Sequence, residues 1–388
     1  MERVFGSDTP LHVVIAGGGF AGIETLLALR ALAGDRVRVT VASPEVEFAY
    51  RPAATLEAFD QSEQRVYDLR TIAADLGATF HRARLESVGP DAHYVRLSSG
   101  SRLHYDALVI ALGARAAATI SGALMFRDQR DIPLFRRLLA DVRSGSVRRL
   151  VFALPAGCSW PVPLYELALL SAEHAAHAGA DTSVTIVSPE SGPLGIFGPE
   201  PSRLVGGLLA ERGIRFIGDA AALAVLRDGS LALRSGERIE ADRVVAGPQL
   251  RGQWITGVPA SWWGFVPVDG LGRVDGLPDV YAAGDVTTFP IKQAGLATQQ
   301  ADVIAQTIAV DAGAALREAR VRRVLQARLI GGSQPLFLRA ELDHTGHATM
   351  ATLVRAAAED RGVYSKVFAR YLTPYFEQHK PPSERALA

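Results

Sequence analysis

Gly17, Gly19 and Gly22 stand in the spacing G-x-G-x-x-G, with Phe20 and Ala21 completing the turn. In such a turn one glycine permits the tight bend, the second lets backbone approach a pyrophosphate, and the third lets helix pack closely on strand. The amides that open the following helix, together with its dipole, then favour phosphate charge. Glycine also serves ordinary strand-to-helix turns, so the surrounding frame has to decide. Residues 11–16 form a near-continuous apolar run, 23–32 carry apolar residues at helical spacing, and Val37-Arg-Val-Thr-Val-Ala42 reads as a second strand. That is a βαβ unit of about 30 residues, the context in which the motif binds a dinucleotide. Far along the chain, Tyr281-Ala-Ala-Gly284-Asp285 follows a short strand, and Asp285 can accept hydrogen bonds from sugar-like hydroxyls. Tyr105 to Leu112 is a matching strand that ends in a turn at Gly113. One departure concerns the end of the second strand, where Ser43 stands in place of the acidic residue that usually meets the ribose, with Glu45 close by.

The pattern starts again further on. Residues 149–154 read as a strand, 164–174 as a helix and 183–187 as a strand, after a charged helical stretch near 127–142. The segments VRVTVASPE and TSVTIVSPE form an internal repeat, so the two halves are expected to share one architecture. The second turn, however, reads Pro155-Ala-Gly-Cys-Ser-Trp-Pro-Val-Pro-Leu-Tyr165. Prolines lack the amide protons that bind phosphate, Trp160 fills space that the ligand needs, and Ser188 replaces the ribose acid. A pyridine nucleotide in the usual pose is not expected there.

These elements imply an α/β fold of two Rossmann-like, tandem dinucleotide-binding units with a C-terminal α+β segment. Residues 1–120 and 245–320 are expected to form the first, discontinuous unit, which the chain rejoins through Gly264-Phe-Val-Pro-Val-Asp269 and Pro278 to Asp285. Residues 121–244 form the degenerate second unit, and 321–388 a hairpin (324–330 and 335–342, joined by Gly331-Gly332-Ser333) with a closing helix near 366–376. The chain of 388 residues carries 41 basic and 41 acidic residues, which gives no electrostatic footprint for nucleic acid. Cys158 is the only cysteine, so no disulfide forms within the chain. The opening residues lack a signal-peptide pattern and no apolar run reaches spanning length, so a cytoplasmic place, or the inner face of a membrane, is expected.

The sequence resembles the flavoproteins with two dinucleotide-binding domains, in the group of type II NADH:quinone dehydrogenases, sulfide:quinone oxidoreductases and flavocytochrome c sulfide dehydrogenases. The likeness runs from Val13-Val-Ile-Ala-Gly-Gly-Gly19, through the segments beginning at Gly264, Val280 and Pro290, to Lys366-Val-Phe-Ala-Arg-Tyr-Leu-Thr-Pro-Tyr375. The resemblance implies FAD as cofactor and an oxidoreductase passing electrons to a quinone or another small acceptor. It implies that Lys292, Gln293 and Ala294 approach the flavin ring from a helix start, where positive potential stabilises the anionic reduced flavin. The remaining candidate cofactor contacts are Ser43, Pro44, Arg51, Ala83, Ala111, Gly113, Gly284 and Asp285, beside the glycine turn itself.

Cys158, Glu166 and Lys292 are the candidate chemical groups. The cysteine and the prolines leading to Tyr165-Glu166 look like the sulfide-oxidising branch, which uses a pair of cysteines that this chain lacks. Cys158 is therefore either a lone nucleophile or an inert buried thiol, and Glu166 either relays protons or simply favours a helix dipole. His174-x-x-His177 and His344-x-x-His347 lack further ligands, so no metal is expected. Val367, Phe368, Tyr371, Leu372, Tyr375 and Phe376 recur at helical spacing, a stripe that lies on a membrane surface, on its own domain or on a second subunit of a homodimer. Two other functions stay open: an NAD(P)H dehydrogenase with an unorthodox nucleotide pose, and a flavin-binding subunit that docks a redox partner.

Overall fold

A computed structural model describes residues 9–331, 335–355 and 366–379. Strand Leu11–Ala16 is buried from Val13 onward because it lies inside a parallel sheet, with Val37–Ser43 on one side and Ala107–Ile110 on the other. The spatial order is Val280–Ala282, Ala107–Ile110, Leu11–Ala16, Val37–Ser43 and Thr79–Arg82. The order reverses beside Leu11–Ala16, which opens a crevice at the carboxyl ends of the strands, where open α/β sheets bind ligands. Helices Phe20–Leu32 and Ala294–Asp311 pack together over one face, sharing a core with Ile15, Val39 and Val109.

A second five-stranded parallel sheet repeats this plan, in the order Leu124–Met125, Arg243–Ala246, Arg149–Ala153, Ser183–Val187 and Arg215–Ile217. The two repeat segments occupy equivalent places: Val37–Ser43 follows the first helix as Ser183–Val187 follows helix Val162–His177. The architecture is α/β with two Rossmann-like units. Strand Arg243–Ala246 crosses the position expected to divide the units at 244, because its hydrogen bonds to Leu150–Ala153 keep residues 245 and 246 in the second sheet.

The expected hairpin is a three-stranded antiparallel sheet of Val324–Leu329, Leu336–Leu342 and Ala348–Arg355. Gly332 and Ser333, placed at its turn by sequence, lie outside the described residues, as does the tail from 380. The closing helix is shorter than expected, Leu372–Gln378, and its stripe points inward. Val367, Leu372 and Phe376 are buried in the core of the first unit, and Phe376 stacks on Tyr67 with ring centroids 4.0 Å apart. The aromatic stripe is therefore packing surface for its own domain. Among the described residues no helix is long and apolar enough to cross a membrane.

Candidate active site and cofactor cradle

Two of the three motif glycines are required by contact. Gly17 has φ +120°, and a Cβ there would lie 2.2 Å from the carbonyl oxygen of Ala111. A Cβ on Gly22 would lie 2.0 Å from the carbonyl oxygen of Gly17, so the helix reaches the strand only without a side chain. Gly19 behaves oppositely: nothing lies within 4 Å of its would-be Cβ, and it directly precedes the helix that begins at Phe20. Open space at a helix start, bounded by glycine, is the cradle a pyrophosphate needs. Ala21 and Phe20 are the first helical residues, and Phe20 packs edge-on against Phe48 and Tyr50.

Around the cradle, Ser43 is buried at the end of its strand and its carbonyl accepts from Ala83 N at 3.0 Å, while Pro44 and Glu45 are exposed. Ala111 N donates to Ala16 O at 2.7 Å, and Gly113 (φ +66°) turns the chain away. Gly284, at φ +79°, lets the chain pass between Ala21 and Ala297 and bonds Gln300 Oε1 at 2.6 Å. Asp285 follows in the short turn Gly284–Val286. Burial pushes its carboxyl up from the ordinary range, and the charges of Lys292 and Arg51 pull it back. The electrostatic interactions bring Asp285, Lys292 and Arg51, distant in sequence, into one environment.

Lys292 is buried; its ammonium donates to Thr287 O and lies 4.0 Å from the centroid of Phe265. Desolvation lowers its pKa to about 8, against the opposing pull of Asp285. Gln293 does a different job from the one expected. Its Oε1 caps helix Ala294–Asp311 by accepting from Leu296 N at 2.8 Å, and its Nε2 donates to Gln326 O at 3.2 Å. Its side chain is thus committed to the fold, and Ala294 is the first residue of the capped helix. Beside Lys292 lies a cavity of about 350 Å³ walled by Gly157, Ser159, Trp263, Phe265, Thr288 and Phe289, among others.

The second turn carries prolines at 155, 161 and 163, none with an amide proton to offer, and is braced by local bonds. Cys158 N donates to Pro155 O at 3.0 Å, Leu164 N to Pro161 O at 3.0 Å, and Lys292 N to Ser159 O at 3.3 Å. Pro163 occupies the first turn of helix Val162–His177 and has no amide proton to offer. Trp160 packs edge-on against Phe197, and Ser188 is fully buried with its hydroxyl on Glu190 Oε2 at 3.0 Å. The same carboxylate accepts from Tyr165 OH at 2.7 Å, so the acid nearest the ribose position is spent on an internal network.

Both readings of Cys158 and Glu166 meet a specific environment. Burial pushes the Cys158 thiol up to about 12, which favours the inert thiol over the nucleophile. Glu166 lies in the second turn of its helix, buried, and is held by Lys366 Nζ at 2.7 Å, Thr55 Oγ1 at 2.8 Å and Ile330 N at 3.2 Å. Lys366 Nζ also donates to Thr55 Oγ1 and Pro52 O, at 3.0 and 3.1 Å. Glu166 thus ties its helix to three other chain segments. Thr55 and Lys366 carried no sequence signal for this role, because a buried lysine partner 200 positions away follows no local spacing. His174 bonds Leu139 O at 3.2 Å and His347 bonds Thr345 Oγ1 at 2.7 Å, both within the fold.

A family model described as pyridine nucleotide-disulphide oxidoreductase matches residues 11–149 and 166–301. The chain belongs to this family. It is a flavin-dependent oxidoreductase of this family, its cofactor is FAD, and the open first cradle fits that cofactor. Among curated relatives, the sulfide-quinone reductase of Aquifex aeolicus is 29% identical over 294 residues, 72% of this chain and 62% of the relative. The chain thus spans about three fifths of that relative's length. The solved sulfide:quinone oxidoreductase of the same bacterium shares the fold with TM-score 0.78 and 22% identity, over 95% of this chain and 90% of that one. NDH2 of Plasmodium falciparum, solved in complex with NADH, shares it with TM-score 0.66 and 13% identity, over 90% of this chain and 92% of that one.

Proposed function

We propose that this oxidoreductase takes electrons from a small donor other than NAD(P)H and delivers them to a quinone or another small acceptor. The observation that carries the reading is the contrast between its two turns: Gly19 opens onto free space, whereas the Pro155–Pro163 turn gives three positions to prolines and packs Trp160 against Phe197. Likeness to a sulfide-quinone reductase supports a quinone on the accepting side. Bound FAD supplies the electron relay. In this reading Gly17, Gly19, Gly22 and Asp285 hold the cofactor, Ser43, Pro44, Arg51, Ala83, Ala111, Gly113 and Gly284 line it, and Lys292 with the capped helix start supplies positive potential. The units would divide as 1–120 with 247–320, 121–246 and 321–388.

Anaerobic stopped-flow absorbance of the FAD-loaded protein tests this against NADH, NADPH, sulfide and a reduced quinone. The expected result is flavin bleaching by a donor other than the two nucleotides, with reoxidation by a quinone. Bleaching by micromolar NADH within seconds would overturn it. A second reading, a flavoprotein that passes electrons to a docked protein, is favoured by Trp254 and Trp262, which stand 70% and 88% exposed on one loop. It predicts quinone turnover only after a partner protein is added.

A further inference from the structure

We propose that the cavity beside Lys292 binds a planar aromatic anion of one or two fused rings. This deepens the reading above, on which the bound molecule would be a substrate; the binding itself does not depend on it. Three aromatic rings wall the cavity: Trp263, Phe265 and Phe289. Each carries a cation. The guanidinium of Arg251 lies 4.7 Å from the Trp263 ring, the ammonium of Lys292 4.0 Å from Phe265, and the guanidinium of Arg323 5.5 Å from Phe289. The walls therefore offer flat π-faces for stacking and positive charge at three points around them.

The polar groups among the walls agree with this. Ser159, Ser261 and Thr288 bring hydroxyl donors, and no carboxylate lines the cavity. The acids that face its cations act from behind: Asp285 on Lys292 and Asp343 on Arg323. A neutral aromatic would fill the space but make no use of the buried Lys292, the half-buried Arg323 or the exposed Arg251. A dinucleotide is too long for about 350 Å³, and three prolines in the adjoining turn have no amide protons for its phosphates. An anionic ring system satisfies both the stacking faces and the charge.

The test uses FAD-loaded protein and two redox-inert probes on one ring system, naphthalene-2-sulfonate and the neutral 2-naphthalenemethanol, titrated by calorimetry and by perturbation of the flavin absorbance. The sulfonate should bind at least about ten-fold more tightly, with affinity falling as salt rises. Arg251→Gln combined with Arg323→Gln should cut that preference to about three-fold or less while FAD content stays unchanged. Equal binding of the two probes, an undiminished preference in the double variant, or sulfonate binding only after FAD is removed would each overturn the proposal. The last result would mean that the cofactor itself occupies the cavity. If NADH reduces the flavin while the sulfonate still binds, the donor reading fails and this one stands. If quinone is reduced but the sulfonate does not bind, the reverse holds.

Discussion

Lys366→Met removes the cation from a site where Lys366 and Glu166 side chains are only 5% and 3% exposed. Glu166 would keep Thr55 Oγ1 and Ile330 N but lose its charge partner, leaving a buried carboxylate without compensation. Breaking one side of a buried pair in this way costs about 3–5 kcal/mol. Glu166→Gln should cost a similar amount for the opposite reason, because the ammonium is then stranded among Pro52 O and Thr55 Oγ1. The double variant Lys366→Met with Glu166→Leu should recover to within roughly 1–2 kcal/mol of the wild type, since an apolar pair of similar volume needs no compensation. Denaturant unfolding of these four proteins and of Glu166→Leu alone, followed by flavin fluorescence and circular dichroism, closes the double-mutant cycle. If the Lys366 variant lies within about 1 kcal/mol of wild type, the junction is not structural. If Glu166→Gln keeps its stability but loses flavin turnover, the carboxylate does chemistry.

Gly22→Ala should weaken FAD binding by about 100-fold, because relieving a 2.0 Å contact with Gly17 O shifts the amides from the phosphates and costs one or two charge-assisted hydrogen bonds; equilibrium dialysis reads the loss. Cys158→Ser should keep turnover within about two-fold, and the wild-type thiol should resist a disulfide reagent at pH 8, since its pKa is raised to about 12. Glu24 and Asp302 are hydrogen-bonded to each other, and Glu24 also accepts from Tyr371 N and Leu372 N at 2.9 and 2.7 Å. Burial, then the charge of Glu24, pushes Asp302 up to about 8, so the folded state holds a proton that the unfolded chain has released. That stabilisation is complete below the ordinary carboxylate pKa of about 4 and declines, by at most roughly 1.4 kcal/mol per pH unit, as pH rises through about 8. Asp302→Asn should flatten this decline in denaturation midpoints measured from pH 5 to 9.

The first cradle was legible in sequence because its parts are local: a buried strand, three glycines at fixed spacing and an apolar helix all lie between Leu11 and Leu32. The repeat of Val37–Ser43 in Ser183–Val187 was legible for the same reason, and so was the obstruction by prolines. The stripe near Tyr371 carries helical spacing whichever way it faces, and only the packing of Phe376 on Tyr67 decides that it faces inward. Gln293 was expected beside the flavin by resemblance, and Glu166 as a proton relay or a helix-dipole carboxylate. Neither expectation named the partners of their side chains, Leu296 N and Lys366, which come from one capping bond and one long-range contact. Trp263, Phe265 and Phe289, with their cations at 251, 292 and 323, follow no regular spacing, so no local pattern announces that they wall one cavity.

The central claim is that one turn of this protein holds a dinucleotide and the other cannot. Calorimetric titration of the FAD-loaded protein with ADP-ribose, NADH and NADPH measures this without relying on turnover. The account predicts one tightly held FAD per chain and no further dinucleotide bound at micromolar concentration. Saturable binding of a second equivalent, abolished by substitutions in the Pro155–Pro163 turn, would contradict it.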